Sequence, residues 1–422
     1  MVRESLQRHE NAMDATVRAW PVALLYGAQF LAIGLSMPLL PVWLAARGLG
    51  AEAIGQVLAA QGLARVLGQP LLARLADAGG RGGEDNDARL RRVMFLAAML
   101  ASMAALWLAG MAQGFTALLL GVALTFFFFS PLIPLTEVVA VRTGERLGIA
   151  YGRFRLWGSL TFTIGALLAG LLMDALPSGL LIWAVVLAML ATAASVLLQQ
   201  VAKSAPQDAL EDAASEASGK AGVGEERSDE TNGLKKILTP WFILFLAVSG
   251  LVQASHAMLY GFSALHWQKL GHTGLTIGLL VTAGVLAEIL LFWFSGQLLQ
   301  RLGAGRLLML GAAAAALRWL GMAFDPPLLV LFLLQLLHAF SFGAAHLGAI
   351  TFIRTRTPAR LAATAQAVHS SVSMGLFMMV AMWASGQLYE AHGAHAWLAM
   401  SIMAAVAVPL AAWLRRMVPA QA

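Results

Sequence analysis

Runs of about twenty apolar residues recur along the whole chain, and this recurrence limits the fold more than any other feature. A hydrocarbon layer roughly 30 Å thick needs about 20 apolar residues of helix to cross it. No soluble core needs such a run again and again. Spans are read at 20–45, 52–76, 92–111, 114–141, 152–175, 178–201, 239–266, 273–299, 305–324, 328–353, 362–389 and 395–414. Backbone polar groups at membrane depth must be paired within the segment or within a closed barrel, and runs this long without alternation cannot form a barrel. The expected fold class is therefore an all-α membrane protein with twelve transmembrane helices. Composition agrees, since 59% of the 422 residues are hydrophobic and 12% charged, against about 45–50% and about 25% in an average soluble domain.

Charge placement sets an expected orientation, because Lys and Arg collect in short cytoplasmic loops. With the N-terminus inside, all but four of the 28 Lys and Arg residues fall in inside segments. The outside loops hold only Arg47 and Lys269, and Arg65 and Arg318 lie within spans. Both termini are thus expected in the cytoplasm, with the chain in a bacterial inner membrane among its lipids. The net charge of +6 does not point to nucleic acid, since the basic residues form short groups and no basic domain. Polar residues 1–19 precede a long apolar segment without a small-residue cleavage site, so the first span is expected to stay in the mature chain. The chain has no cysteine, so neither a disulfide framework nor thiolate chemistry is available.

Between the sixth and seventh spans, residues 202–237 change abruptly to Ala, Ser, Gly and acid, as in Glu225-Glu226-Arg227-Ser228-Asp229-Glu230. Such a stretch cannot bury enough apolar area to fold alone. It is read as a flexible cytoplasmic linker between two six-helix halves, 1–201 and 238–422. The halves echo each other after their second spans: Ala73-Arg74-Leu75-Ala76-Asp77-Ala78-Gly79-Gly80-Arg81 corresponds to Gly296-Gln297-Leu298-Leu299-Gln300-Arg301-Leu302-Gly303. Internal duplication of this kind is common in transporters.

The first of these segments resembles the loop signature Gly-x-x-x-Asp-Arg-x-Gly-Arg of the major facilitator superfamily, matching at Asp77, Gly80 and Arg81 and departing at Ala73 and Ala78. The second keeps Gly296, Arg301 and Gly303 but has Gln300 in place of the acid. More specific are Ser130-Pro131-Leu132-Ile133-Pro134-Leu135-Thr136-Glu137 and Tyr151-Gly152-Arg153-Phe154-Arg155-Leu156-Trp157-Gly158-Ser159. With Gln253-Ala254-Ser255-His256-Ala257, Tyr260-Gly261-Phe262-Ser263-Ala264, Ala287-Glu288 and Leu337-His338, they resemble the phenylpropionate permease subgroup of that superfamily. Nucleoside and oligosaccharide proton symporters share the Tyr-Gly-x-x-Arg-x-Trp-Gly-Ser element. The resemblance implies the major facilitator fold and proton-coupled uptake of a small organic acid such as 3-phenylpropionate.

Charges at membrane depth are expensive, so each needs a partner or a task. Four lie within spans: Arg65, Glu137, Glu288 and Arg318. Arg65, near mid-span, can clasp a carboxylate with its planar fork or serve in a structural ion pair. Glu288, also near mid-depth, is the candidate to load and unload the coupling proton. Glu137 lies towards the cytoplasmic end of its span, downstream of Pro131 and Pro134, and suits a gate together with Asp77 and Arg81. Its structural alternative is a salt bridge with Arg142, Arg153 or Arg155. Arg318 is read as a structural partner on a peripheral span. His256, Tyr260, Ser263 and Trp267 recur at helical spacing in span seven, so His256 and Tyr260 are candidates to line an aromatic ligand, with Trp267 placed at the membrane boundary. Histidine titrates near pH 6.5 when unperturbed, which makes His338 a second proton-coupling candidate, with His346 and His369 behind it.

No Gly-x-x-x-x-Gly-Lys-Ser/Thr, His-Glu-x-x-His or Gly-x-Ser-x-Gly element occurs, so neither ATP-driven transport nor hydrolysis is indicated. No enzyme activity, cofactor or metal is expected. The expected partners are protons and a small organic acid, with the chain a monomer. Proton-driven efflux of hydrophobic compounds, symport of a nucleoside or sugar, and a non-transporting sensor or scaffold remain open.

Overall fold

The computed structural model describes residues 2–78, 84–149, 151–198, 237–358 and 361–417. The 202–237 linker, apart from its last residue, lies outside the described residues, as does Arg81. Asp77 sits in the last turn of a helix, but its side chain is likewise outside them. The described residues are helical throughout, with no strand among them.

The helices are α1 Val2–Ala46, α2 Ala51–Ala78, α3 Glu84–Met111, α4 Phe115–Leu147, α5 Tyr151–Ala175 and α6 Leu181–Leu198. After the undescribed interval come α7 Pro240–Lys269, α8 Gly274–Trp293, α9 Ser295–Met322, α10 Leu328–Arg356, α11 at 362–392 and α12 Ala396–Met417. Nine stretches among the described residues are long and apolar enough to cross a bilayer. One of them, Thr364–Met417, covers both α11 and α12 and is broken by Gly393, whose φ of 55° is open to glycine. The two helices that do not qualify, α2 and α9, carry two and three arginines, Arg65 and Arg74 in the first and Arg301, Arg306 and Arg318 in the second. They are nonetheless packed into the bundle, α2 between α4 and α11, α9 between α10 and α12.

Helices α1 to α6 pack chiefly on one another, as do α7 to α12, and the two groups meet along α5 with α8, α2 with α11, and α1 with α7. Large apolar side chains such as Leu63, Leu67, Leu156, Leu160 and Trp293 remain exposed. On a membrane-spanning bundle such surface faces lipid rather than water.

Several boundaries differ from the sequence reading. Helix α4 continues to Leu147, six residues past the expected end, because Val138–Leu147 keeps a helical pattern of apolar and charged positions after the purely apolar run stops. Glu137 therefore has about ten residues of helix beyond it, roughly 15 Å. Helix α8 ends at Trp293 rather than 299, and the next true break is Gly303 at φ 71°. Trp267, expected at the membrane boundary, is 1% exposed and packed in the protein core, so it offers no face to lipid head groups. Besides α9 at Gly303, four helices are interrupted: α4 at Ser130 and Pro131, α7 at Ser255 and His256, and α10 and α11 by π-helical turns at Ala339–Ala344 and Ser370–Leu376. Wide turns of this type concentrate at functional sites.

Candidate functional site

Two polar clusters lie where the halves face each other. In the first, Arg155 near the start of α5 donates to Glu137 Oε1 of α4 at 3.1 Å and to the hydroxyl of Tyr26 of α1 at 3.0 Å. Tyr26 lies 3.4 Å from both Glu137 Oε1 and the Tyr151 hydroxyl. The guanidinium also stands 5.5 Å from the centre of the Phe30 ring, which stacks on Tyr26. The Arg155 and Glu137 side chains are 49% and 39% exposed, so this pair opens onto the space between the halves.

The second cluster is almost wholly enclosed. Arg318 of α9 is 1% exposed and donates to Nδ1 of His338 at 2.9 Å, to the Ser341 hydroxyl at 3.3 Å and to Gln335 Oε1. A guanidinium only donates, so His338 Nδ1 must accept and its proton must sit on Nε2. That nitrogen points at Glu288 Oε2 of α8, 3.6 Å away. Along the other branch, His256 Nδ1 is 3.0 Å from the carbonyl of Val252 and must donate to it, which leaves Nε2 to accept from Ser341 at 3.2 Å. One buried cation thus feeds two branches, one a chain of hydrogen bonds ending on a backbone carbonyl, the other a hydrogen bond to His338, whose far nitrogen stands near a carboxyl. Trp319 flanks the guanidinium at 4.6 Å and anchors on Ser255.

The local folding follows from the interruptions. His338 immediately precedes the π-helical turn of α10, and Ser341 lies within it, so the wide turn lets both reach Arg318. The break in α7 puts His256 at the end of one helical segment, with its ring stacked on Tyr260 at 5.9 Å.

The sequence-predicted residues divide accordingly. Glu288, His338 and His256 are joined through Arg318, and Tyr260 lies half-buried beside them. His256 is fully buried with both nitrogens engaged inside the protein. Ser263 turns back to the Leu259 carbonyl of its own helix. His346 stacks below His338 through Phe342, while His369 bonds Ser249 of α7. Arg65 is exposed and, among the described residues, has no hydrogen-bond or ion-pair partner. It lies two residues, about 200° of helix, from Leu63 and Leu67, which are turned outward. It is also two turns along from Leu58, whose side chain packs at Gly261 of α7. Arg65 therefore faces the interior gap, not lipid. Arg155 is close enough to act on the charges of Glu288 and His346 across that gap.

Sequence reasoning missed the central place of Arg318 and the contributions of Tyr26, Tyr151, Gln335 and Ser341. One signal was available: the chain has only four tyrosines against 20 phenylalanines. All four, Tyr26, Tyr151, Tyr260 and Tyr389, join polar or aromatic clusters. No group of three or more His, Cys, Asp or Glu among the described residues is placed to hold a metal ion.

Comparison with known proteins agrees with this architecture. The model of the MFS_1 like family matches residues 19–399. The chain is 32% identical over 398 residues to the probable 3-phenylpropionic acid transporter of Escherichia coli (strain K12), covering 92% of this chain and 95% of that one. It is 30% identical over 384 residues to the maltose permease of Geobacillus stearothermophilus, covering 89% of each. The crystal structure of the nucleoside transporter NupG superposes with a TM-score of 0.74 at 17% identity, over 96% of this chain and all of that one. The chain belongs to the MFS_1 like family and is a multi-pass secondary transporter with the major facilitator fold.

Proposed function

We propose that the protein imports a small organic acid, an aromatic monocarboxylate such as 3-phenylpropionate, together with a proton. Two observations support the reading: a guanidinium, Arg65, with no hydrogen-bond or ion-pair partner among the described residues, and a carboxyl, Glu288, backed by a buried cation through His338. Arg65 is free to take the substrate carboxylate in a two-pronged hydrogen-bonded pair. Half-buried Tyr260 lines the aromatic end, with His256 fixing its ring from behind. Glu288 is the group that takes and gives up the proton. His338 cannot accept a second proton on Nδ1 while Arg318 occupies it, so it serves to report the state of Glu288 to Arg318. The substrate class rests on likeness to the E. coli transporter. Glu137, paired with Arg155, suits a gate that forms and breaks as the halves rock about the site. Both termini lie in the cytoplasm of a bacterial cell, from the charge alternation, and the protein works as a monomer without enzymatic chemistry.

The test is uptake into liposomes of purified protein. A pH difference, acid outside, should drive accumulation of 3-phenylpropionate, with little response to voltage because a proton moving with a monoanion carries no net charge. Accumulation of maltose or a nucleoside in its place would move the substrate class to that of the other relatives, and extrusion would reverse the direction. No movement of any solute would leave the intramembrane charges structural.

A further inference from the structure

At the end of the bundle away from the chain termini, the halves are joined by two crossings that mirror each other. Asp174, in the last turn of α5, accepts from the backbone N–H of Gly274 at 2.7 Å and of Leu275 at 2.8 Å, the first residues of α8. Glu390, near the end of α11, accepts from the N–H of Ala51 at 2.6 Å, the first residue of α2. Exchanging the halves converts α5 on α8 into α11 on α2. Each half thus donates one carboxylate to the start of a helix in the other.

Glycines bring the backbones together beneath both contacts. A Cβ on Gly170 would collide with the carbonyl oxygen of Gly274, and one on Gly274 with that of Gly170. On Gly55 it would lie 2.7 Å from the Cα of Gly386, and on Gly386 it would lie 2.7 Å from the carbonyl oxygen of Ala51. The outer end of α11 is also braced within its own half, where Tyr389 bonds His266 at 3.1 Å and His266 meets Asp325 at 2.6 Å.

The first N–H groups of a helix lack partners within it, and the positive end of the helix dipole favours a carboxylate there. Separation of the halves at this end would return both carboxylates and the freed N–H groups to water, so each contact is strong enough to bias the carrier and weak enough to open. We propose that Asp174 and Glu390 are a matched pair of positioning residues that hold this end of the transporter shut, and so set how much of it is open to that side. The contact is to backbone rather than to a basic side chain, which lets the same device serve both crossings without a matched Arg or Lys.

The chain has no cysteine, so a single introduced one can report opening without a substrate or a proton gradient. Leu58 suits this role: it lies seven residues inward from Ala51 on α2, is 7% exposed and packs at Gly261 of α7. In membranes, labelling of Leu58→Cys by a membrane-impermeant maleimide from the side of the α2 and α8 N-termini should be slow. Asp174→Asn and Glu390→Gln should each speed it about three- to tenfold, in line with the loss of one cap, and the double variant by about the product. Gly55→Ala should act in the same direction by steric means. Glu52→Gln, a charge change in the same first turn whose side chain, among the described residues, bonds only Gln56 of its own helix, should leave the rate unchanged. Full reactivity after denaturation normalises each variant for the amount of inserted protein. An unchanged rate in the double variant, an effect of one carboxylate only, or an equal effect of Glu52→Gln would overturn the proposal. Because no substrate enters the assay, these outcomes are separate from success or failure of the organic-acid reading.

Discussion

The two polar clusters that face each other across the gap use similar residues in opposite ways. In the N-terminal half, Arg155 and Glu137 meet directly and stay partly exposed. In the C-terminal half, Arg318 is buried and reaches its carboxylate only through a histidine. An exposed ion pair contributes little, about 0–1 kcal/mol, and is easily exchanged for water or ligand. A buried cation cannot be left without acceptors at all. The first arrangement is suited to being broken in each cycle, the second to staying assembled while one member changes charge.

This contrast can be attacked in order of expected effect. The largest change belongs to Glu288→Gln, since glutamine imitates the protonated acid but cannot release a proton. Accumulation driven by a pH difference should fall to background, whereas counterflow exchange, which needs no return of the empty carrier, should persist. Retained accumulation would pass the coupling role to another group. Next, Arg318→Met leaves the His338, Gln335 and Ser341 acceptors without their donor and should cost about 3–5 kcal/mol, read as a large fall in the thermal unfolding midpoint in detergent. If the Glu288 carboxylate is the counter-charge, adding Glu288→Gln to Arg318→Met should restore part of that loss. Strict additivity of the two would separate the acid from the network.

Smaller effects are expected in the open part of the site. Arg65→Lys keeps the charge and removes the fork, so substrate affinity should fall roughly tenfold, about 1.4 kcal/mol, with stability almost unchanged; isothermal titration and thermal unfolding together check this. The smallest change is expected for Glu137→Gln, where unfolding should shift by no more than about 1 kcal/mol. A loss as large as that of Arg318→Met would erase the distinction between the two clusters.

Much of the fold was legible in the sequence, because apolar length is a direct response to bilayer thickness and every expected span corresponds to a helix. What failed were endings set by something other than apolarity. Helix α4 runs on through Arg142, Glu145 and Arg146 because helix period persists where hydropathy stops. Candidate residues could be recognised singly, as charges or histidines at depth, but their connections could not. Ser341 and His256 are 85 residues apart and Arg318 and His338 are 20 apart, and only the packing of α7, α8, α9 and α10 brings them together. Asp174 and Glu390 drew no attention since they stand at span ends, where a carboxylate is unremarkable until its backbone partners are known.

The π-helical turns in α10 and α11 have a mechanical meaning. Each holds one residue more than an α-helical turn would, and that surplus need not stay at one address. If the turn at Ala339–Ala344 tightened, the lower stretch of α10, with His346, would rotate by about 100° while the upper stretch, pinned through Gln335 and His338 to Arg318, stayed still. In α11, which runs the other way, the corresponding turn is tied to α7 through Ser373 and the Leu246 carbonyl, with His369 on Ser249 just below it. Helix α10 would then twist about a fixed upper segment and α11 about a fixed lower one, each turning a local rewinding into a change of which side chains line the gap.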